Sequence, residues 1–166
     1  MRLTIHHGPF VWAVALLAPL ALLAAGCGSN DDDSGEPAVR TFYMEAMEPK
    51  GSASVEKEAF PDVALPEGGG YVLKEPNAEG KWEVETYTWN PKQIVVTEGD
   101  TVNLEILGVN GARHEGSIGE YVESFIVERG KLTSLSFVAD RAGVFTIGCA
   151  THQPSMTAEL VVLPRS

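Results

Sequence analysis

Cys149, His152 and Met156 fall within the eight-residue segment Cys149-Ala150-Thr151-His152-Gln153-Pro154-Ser155-Met156. The segment is a short connection between two β-patterned stretches, Gly143 to Gly148 and Thr157 to Leu163, so its thiol, imidazole and thioether are directed toward one point. Sulfur ligands are soft and imidazole is borderline, a combination that selects copper over hard cations. A mononuclear type 1 copper site needs two His nitrogens and a Cys thiolate in a trigonal plane, with a long, weak axial Met. A second His must come from elsewhere in the fold. His114, which follows a β-patterned stretch and a glycine break, supplies it.

The N-terminus bears on which thiols and imidazoles are free to ligate. Arg2 precedes the apolar run Val11 to Ala25, which is short for a membrane span and contains Pro19. It reads as a targeting segment. The run ends in Leu23-Ala24-Ala25-Gly26-Cys27, which resembles the lipobox of bacterial lipoproteins, with Ala24 where a larger aliphatic residue is usual. That resemblance implies cleavage of the signal peptide 1–26, lipidation of Cys27, and a membrane-anchored protein in the bacterial cell envelope. An ordinary secretory signal with an incidental Cys, or a Cys27–Cys149 disulfide, are the alternatives. With lipid on Cys27, Cys149 has no internal disulfide partner. In an oxidising compartment such a thiol is expected to be buried or metal-bound. Removal of the leader takes His6 and His7, leaving His114 and His152.

Twelve basic and 23 acidic residues give a formal charge of −11. That balance excludes nucleic acid as a partner, since little here would neutralise phosphates. It suits a soluble surface or one that steers a basic protein. Residues 27–40 read as a flexible acidic tether. Residues 41–80 contain Pro61, Pro66, Gly68-Gly69-Gly70 and Pro76 and read as an irregular extension. Helical turns are expected over Thr41 to Glu48 and a short strand over Tyr71–Lys74. Met44 and Met47 read as packing residues there. From Lys81 the pattern is densely β. Trp82, Val84, Thr86 and Thr88 alternate with Glu83, Glu85, Tyr87 and Trp89. Further strands are expected over Gln93–Thr97, Thr101–Leu107, Val122–Val127, Leu132–Val138, Val144–Ile147 and Leu160–Leu163. The turn chemistry of Asn90-Pro91, Glu98-Gly99-Asp100 and Gly130 separates several of them. The expectation is an all-β fold, an antiparallel Greek-key β-sandwich of about seven strands over 81–166. A sandwich gathers its end loops, which brings His114 to the Cys149 loop.

With those residues in place, the stretch from Trp82 to Leu163 resembles the cupredoxins. PKQIVVTEGDTVNLEIL is similar to the entry hairpin of that superfamily. RHEGSIGEYVESFIVERGKLTSLSFVADRAGVFTIGC is similar to the run from the first ligand to the ligand Cys. The resemblance is nearest to the branch holding the CuA domains of cytochrome oxidase subunit II and nitrous-oxide reductase, together with nitrosocyanin. It covers about half of the chain and leaves 28–80 outside. CuA domains use two loop cysteines, and this loop has Cys149 alone, so one copper ion, cycling between Cu(I) and Cu(II), is implied. Nitrosocyanin has Glu at the first ligand position and a second His in the loop. Here His114 falls at that position with Glu115 beside it, and the loop ends in Met156. The resemblance therefore implies the set His114, Cys149, His152 and Met156, with Glu115 as a competitor that strand alternation disfavours. Cupredoxins often brace the two ligand loops with an Asn beside the first His. Here Glu115 takes that place and Asn110 lies four residues before His114.

The expected function is one-electron transfer by a membrane-tethered copper protein, not an enzyme, whose partners are redox proteins of the cell envelope, such as basic cytochromes or reductases. Two other functions compete. One is a nitrosocyanin-like red copper site with Glu115 coordinating and a catalytic role. The other is copper storage or delivery.

Overall fold

The computed structural model describes residues 35–166. The signal peptide, Cys27 with its expected lipid, and the first part of the tether lie outside the described residues. Twelve strands follow one another: β1 (Val39–Met47), β2 (Lys50–Ser54), β3 (Tyr71–Lys74), β4 (Lys81–Thr86), β5 (Thr88–Asn90), β6 (Gln93–Thr97), β7 (Thr101–Gly108), β8 (Arg113–Ile118), β9 (Val122–Glu128), β10 (Leu132–Val138), β11 (Gly143–Cys149) and β12 (Thr157–Leu163). They form a four-stranded sheet ordered β10-β7-β1-β5, a five-stranded sheet ordered β6-β12-β11-β8-β9, and a small sheet ordered β2-β4-β3.

The two larger sheets close on one core. Met44, Val102, Leu104 and Ile106 face inward from the first, and Ile94, Ile118, Val127, Ile147, Leu160 and Val162 from the second. In β7 the alternation is strict: Val102, Leu104 and Ile106 are buried between the partly buried Thr101, Asn103 and Glu105. Period-2 burial of this kind lets one face of a strand fill a core while the other stays polar. The all-β sandwich anticipated from the pattern is present. Two of its pairings run parallel, β1 with β7 and β6 with β12, and the rest are antiparallel. Strand direction depends on connections between distant strands, which alternation does not reveal.

The largest difference from expectation lies in residues 41–80. Thr41 to Glu48 is no pair of helical turns. It contributes most of β1, a strand inside the sandwich, paired with β7 from Val39↔Thr101 to Ala46↔Gly108 and with β5 on its other side. Met44 and Ala46 are buried with Phe42 packed beside them, while Thr41 and Tyr43 face out. Met, Glu and Ala favour helices in isolation, but pairing and burial between two strands override that weak preference. β2 and β3 flank β4 antiparallel, so the extension is in part a small sheet, not an irregular cover.

The run Trp82 to Trp89 is two strands, not one. It breaks at Tyr87, between β4 and β5. Trp82 and Trp89 are an odd number of residues apart and would point to opposite faces of a continuous strand. The break lets both be buried. Trp82 packs edge-on to Phe60 and donates its indole N–H to the Glu58 carbonyl at 3.1 Å. Trp89 enters the main core.

Candidate metal centre

Cys149 ends β11, and the residues after it turn back into β12. The turn is closed by its own backbone. Cys149 N–H donates to the Met156 carbonyl at 3.1 Å, and Met156 N–H donates to the His152 carbonyl at 2.9 Å. The Gln153 side-chain amide donates to the Cys149 carbonyl at 2.9 Å. Ala150 N–H donates to the Glu115 carbonyl at 2.8 Å, which ties the turn to β8. β8 pairs with β11 so that Cys149 lies opposite Gly116, two residues past His114. Backbone pairing alone therefore brings His114 beside Cys149.

The side chains converge. His114 Nδ1 and His152 Nδ1 are 3.3 Å apart, and Cys149 Sγ is 3.4 Å from His152 Nδ1. All three donor atoms lie within 4.8 Å of one another, and His114 and Cys149 are each 1% exposed. A metal ion with bonds of about 2.0–2.3 Å, in geometries from tetrahedral to trigonal, needs donors about 3.3–3.8 Å apart. The two printed separations fit that range. Two ring nitrogens facing each other must share a proton or a metal ion, because two lone pairs in apposition repel.

The second nitrogen of His114 is already engaged. Nε2 lies 3.1 Å from the Asn110 carbonyl. A carbonyl only accepts, so Nε2 carries the proton and Nδ1 presents its lone pair. The Asn110 side chain grips the end of β1: Glu48 N–H donates to Oδ1, and Nδ2 donates to the Glu48 carbonyl, both at 2.7 Å. Asn110 thus braces the His114 loop against β1. Gly111 adds to the fit, because any Cβ there would press on His114 Nε2.

Electrostatics favour the ligating forms of Cys149 and His152, while His114 is biased toward its protonated form by the thiol beside it. Burial pushes the Cys149 thiol up, but His114 and the Thr151 and His152 amides outweigh it and hold it below its ordinary value. The thiolate is the form that binds metal. Burial pushes His114 down, and the hydrogen bonds to Cys149 and the Asn110 carbonyl overcome it and raise it. His152 is lowered by burial and then by the charge on His114.

Met156 is fully buried in the core cluster, directly before β12. Its backbone closes the loop on Cys149 and His152, which puts its residue at the donor cluster. Glu115 is exposed on the other face of β8 from His114, as alternation requires, and is not part of the cluster. Cys149 is a free thiol. Among the described residues no helix is long and apolar enough to cross a membrane.

Several contributors were not singled out from the sequence. The Tyr87 ring stacks on His152, centroids 3.7 Å apart and planes 7° from parallel. Its hydroxyl donates to Glu48 Oε1 at 2.8 Å. Burial and then this bond push the phenol up to about 12. Burial also pushes Glu48 up, but the Tyr87 hydroxyl and Lys50 reverse this and hold the carboxyl below its ordinary value. Gly68-Gly69-Gly70 runs backbone-on-backbone along the ligand loop. Gly70 N–H donates to the Gln153 carbonyl at 2.9 Å, and a Cβ on Gly69 would collide with the Thr151 carbonyl. Three successive glycines between prolines and acids were the visible signal, but only the folded contact explains them.

No protein-family model and no curated protein matches the chain. Among solved structures, the chain is similar to a copper-containing nitrite reductase from Thermus scotoductus SA-01, at TM-score 0.49 and 20% identity over 77% of this chain and 28% of that one. This chain thus spans little more than a quarter of that protein. It is also similar to auracyanin A, a blue copper protein of the green thermophilic photosynthetic bacterium Chloroflexus aurantiacus, at TM-score 0.39 and 18% identity over 45% of this chain and 88% of that one. A heme-copper terminal oxidase aligns at TM-score 0.41 and 14% identity over 45% of this chain and 56% of that one. The two-sheet sandwich gathers one His from β8 and a Cys–His pair from the loop after β11 at one point.

Proposed function

We propose that this protein carries single electrons on one copper ion held by His114, Cys149 and His152, with Met156 as a weak axial ligand. The convergence of two Nδ1 atoms and one Sγ at a buried point carries the reading. A bound copper ion supplies the Cu(I)/Cu(II) couple. The chain's own residues do the rest. The lowered Cys149 thiol favours the thiolate, the form that would bind the ion. Asn110 keeps the His114 proton on Nε2. The backbone bonds of the 149–156 turn hold the donors before any metal arrives, so little rearrangement accompanies a change of oxidation state. Met156, drawn from an apolar core, offers a thioether where no water competes, which suits a high reduction potential.

The wider reading is a lipoprotein. Cys27 carries the lipid, residues 28–37 form the tether up to the start of β1, and the domain works at the outer side of a membrane, exchanging electrons with envelope redox proteins that present a basic face. It is a carrier and not an enzyme, since His114 and Cys149 are buried and Glu115, the residue that would make a reactive open site, points away.

Titration of the purified protein with Cu(II) tests the central claim. One copper per chain and intense Cys-to-copper absorption in the red, giving a blue solution, are expected. Cys149→Ser should abolish both. A red solution would overturn Met156 as the axial ligand, and unchanged copper binding in Cys149→Ser would overturn the site.

A further inference from the structure

His152 is held by Tyr87 and, through it, by Glu48, which lies outside the stretch that resembles the cupredoxins. Tyr87, at the break between β4 and β5, lies flat on its imidazole. The Tyr87 hydroxyl is bonded to Glu48, which is only 8% exposed and sits just past the end of β1. Lys50 Nζ, 3.3 Å from Glu48 Oε1, balances its charge. The same Glu48, through its backbone, is gripped at two points by Asn110, whose carbonyl takes the Nε2 proton of His114. Both imidazoles therefore lead back to one residue, by two different routes. Their planes stand 65° apart.

We propose that Glu48 and Tyr87 are positioning residues of the metal centre: Glu48 anchors His114 through Asn110 and His152 through the stacked Tyr87, and so sets the angle between the two imidazole planes. The proposal rests on the copper reading above. It accounts for three otherwise separate features. A carboxylate is buried at a strand end beside the donor cluster. The alternation of a long β-pattern breaks at an aromatic residue. β1 is an interior strand, which makes Glu48 a rigid reference point and not the tip of a loop. A stacked aromatic fixes ring orientation without withdrawing a ring nitrogen from ligation, which a hydrogen bond to Nδ1 would do.

The test uses the full chain, with and without Cu(II), in the wild type and in Tyr87→Leu, Tyr87→Phe and Glu48→Gln. In the metal-free protein, NMR should find the His152 ring protons shifted upfield by the Tyr87 ring current. The shift should be lost in Tyr87→Leu and retained in Tyr87→Phe. In the copper-loaded protein, Tyr87→Leu should broaden the Cu(II) EPR hyperfine pattern and speed copper loss to a chelator by roughly two- to tenfold, the range for one aromatic pair. Tyr87→Phe, which keeps the ring but cuts its bond to Glu48, and Glu48→Gln, which leaves only a weaker neutral acceptor, should move the spectrum the same way by less. A merely structural role would lower thermal stability and leave the EPR pattern and release rate alone, and that result overturns the proposal. Should Tyr87→Leu fail to fold, the two milder variants decide on the same readouts. If the wild type takes up no copper, the copper reading falls, and unshifted His152 protons in the metal-free wild type would overturn the positioning pair as well.

Discussion

Asn110 meets the metal centre with its backbone and the rest of the fold with its side chain. Asn110→Ala keeps the carbonyl that receives the His114 proton but removes the two 2.7 Å bonds to Glu48. The amide and carbonyl of Glu48 then lose their partners, at a cost of about 1–3 kcal/mol. The His114 loop is also freed, and loss of an outer partner of a ligand typically weakens metal binding by about 10–100-fold. Thermal denaturation of the metal-free protein and copper competition against a chelator should show both effects. Unchanged copper affinity would mean that the His114 loop is rigid without Asn110. The cluster of His114, Cys149 and His152 was legible in the sequence because few His and Cys remain once the leader is set aside. Asn110, Glu48 and Tyr87 were not, since each acts through a partner more than twenty residues away or through a backbone atom that any residue type would carry.

At the scale of elements, the turn from β6 to β7 pins both ends of the described chain. The Asp100 carboxylate is fully buried and receives the Ala38 and Thr97 amides at 3.0 and 3.1 Å, Arg40 at 2.6 Å and Arg165 at 2.7 Å. Burial pushes this carboxyl up, but the two amides and two guanidinium groups hold it well below the usual carboxylate range. A depressed folded value means that the stabilisation is fully present above the unfolded value, about pH 4, and is lost as pH falls below it. The wild-type melting temperature should therefore drop on acidification below about pH 4. Asp100→Asn should cost about 3 kcal/mol at pH 7, since it leaves buried donors mispaired, and should flatten the acid limb. An equally steep acid limb in Asp100→Asn would assign the effect to other carboxylates. The clamp also holds the start of β1 in register with β7, which is how a segment outside the recognisable β-pattern becomes an interior strand. β6, β7 and β9 to β12 were legible from alternation. β8 was not, because its inward positions are His114, Gly116 and Ile118, and Gly116 is small to admit the Phe125 ring of β9. A strand whose inner face carries a ligand and a glycine has no apolar rhythm to detect.

For the whole molecule, charge and the proposed lipid anchor would select which encounters are productive. The formal charge of −11 is spread over a chain in which His114 and Cys149 are buried and His152 is partly exposed, so a partner approaching the ligand loop would meet an acidic protein at the His152 edge. Proteins of opposite net charge are steered together by fields that salt screens within about 8–10 Å at physiological ionic strength. A basic cytochrome should accordingly exchange electrons with this protein more slowly as salt is raised, and an acidic one should show the reverse trend. Fractionation of cells expressing the wild type and Cys27→Ser prepares the measurement: the wild type is expected with membranes and the variant in the soluble fraction. Stopped-flow mixing of the copper-loaded soluble variant with a basic c-type cytochrome, from low salt to 0.5 M, then reads the dependence. A rate that falls with ionic strength supports docking by charge. A rate indifferent to salt would remove the acidic surface from the recognition step. A wild type found in the soluble fraction would remove the anchor. The two results are independent, because steering depends on the charge of the domain and anchoring on a residue at the far end of the tether.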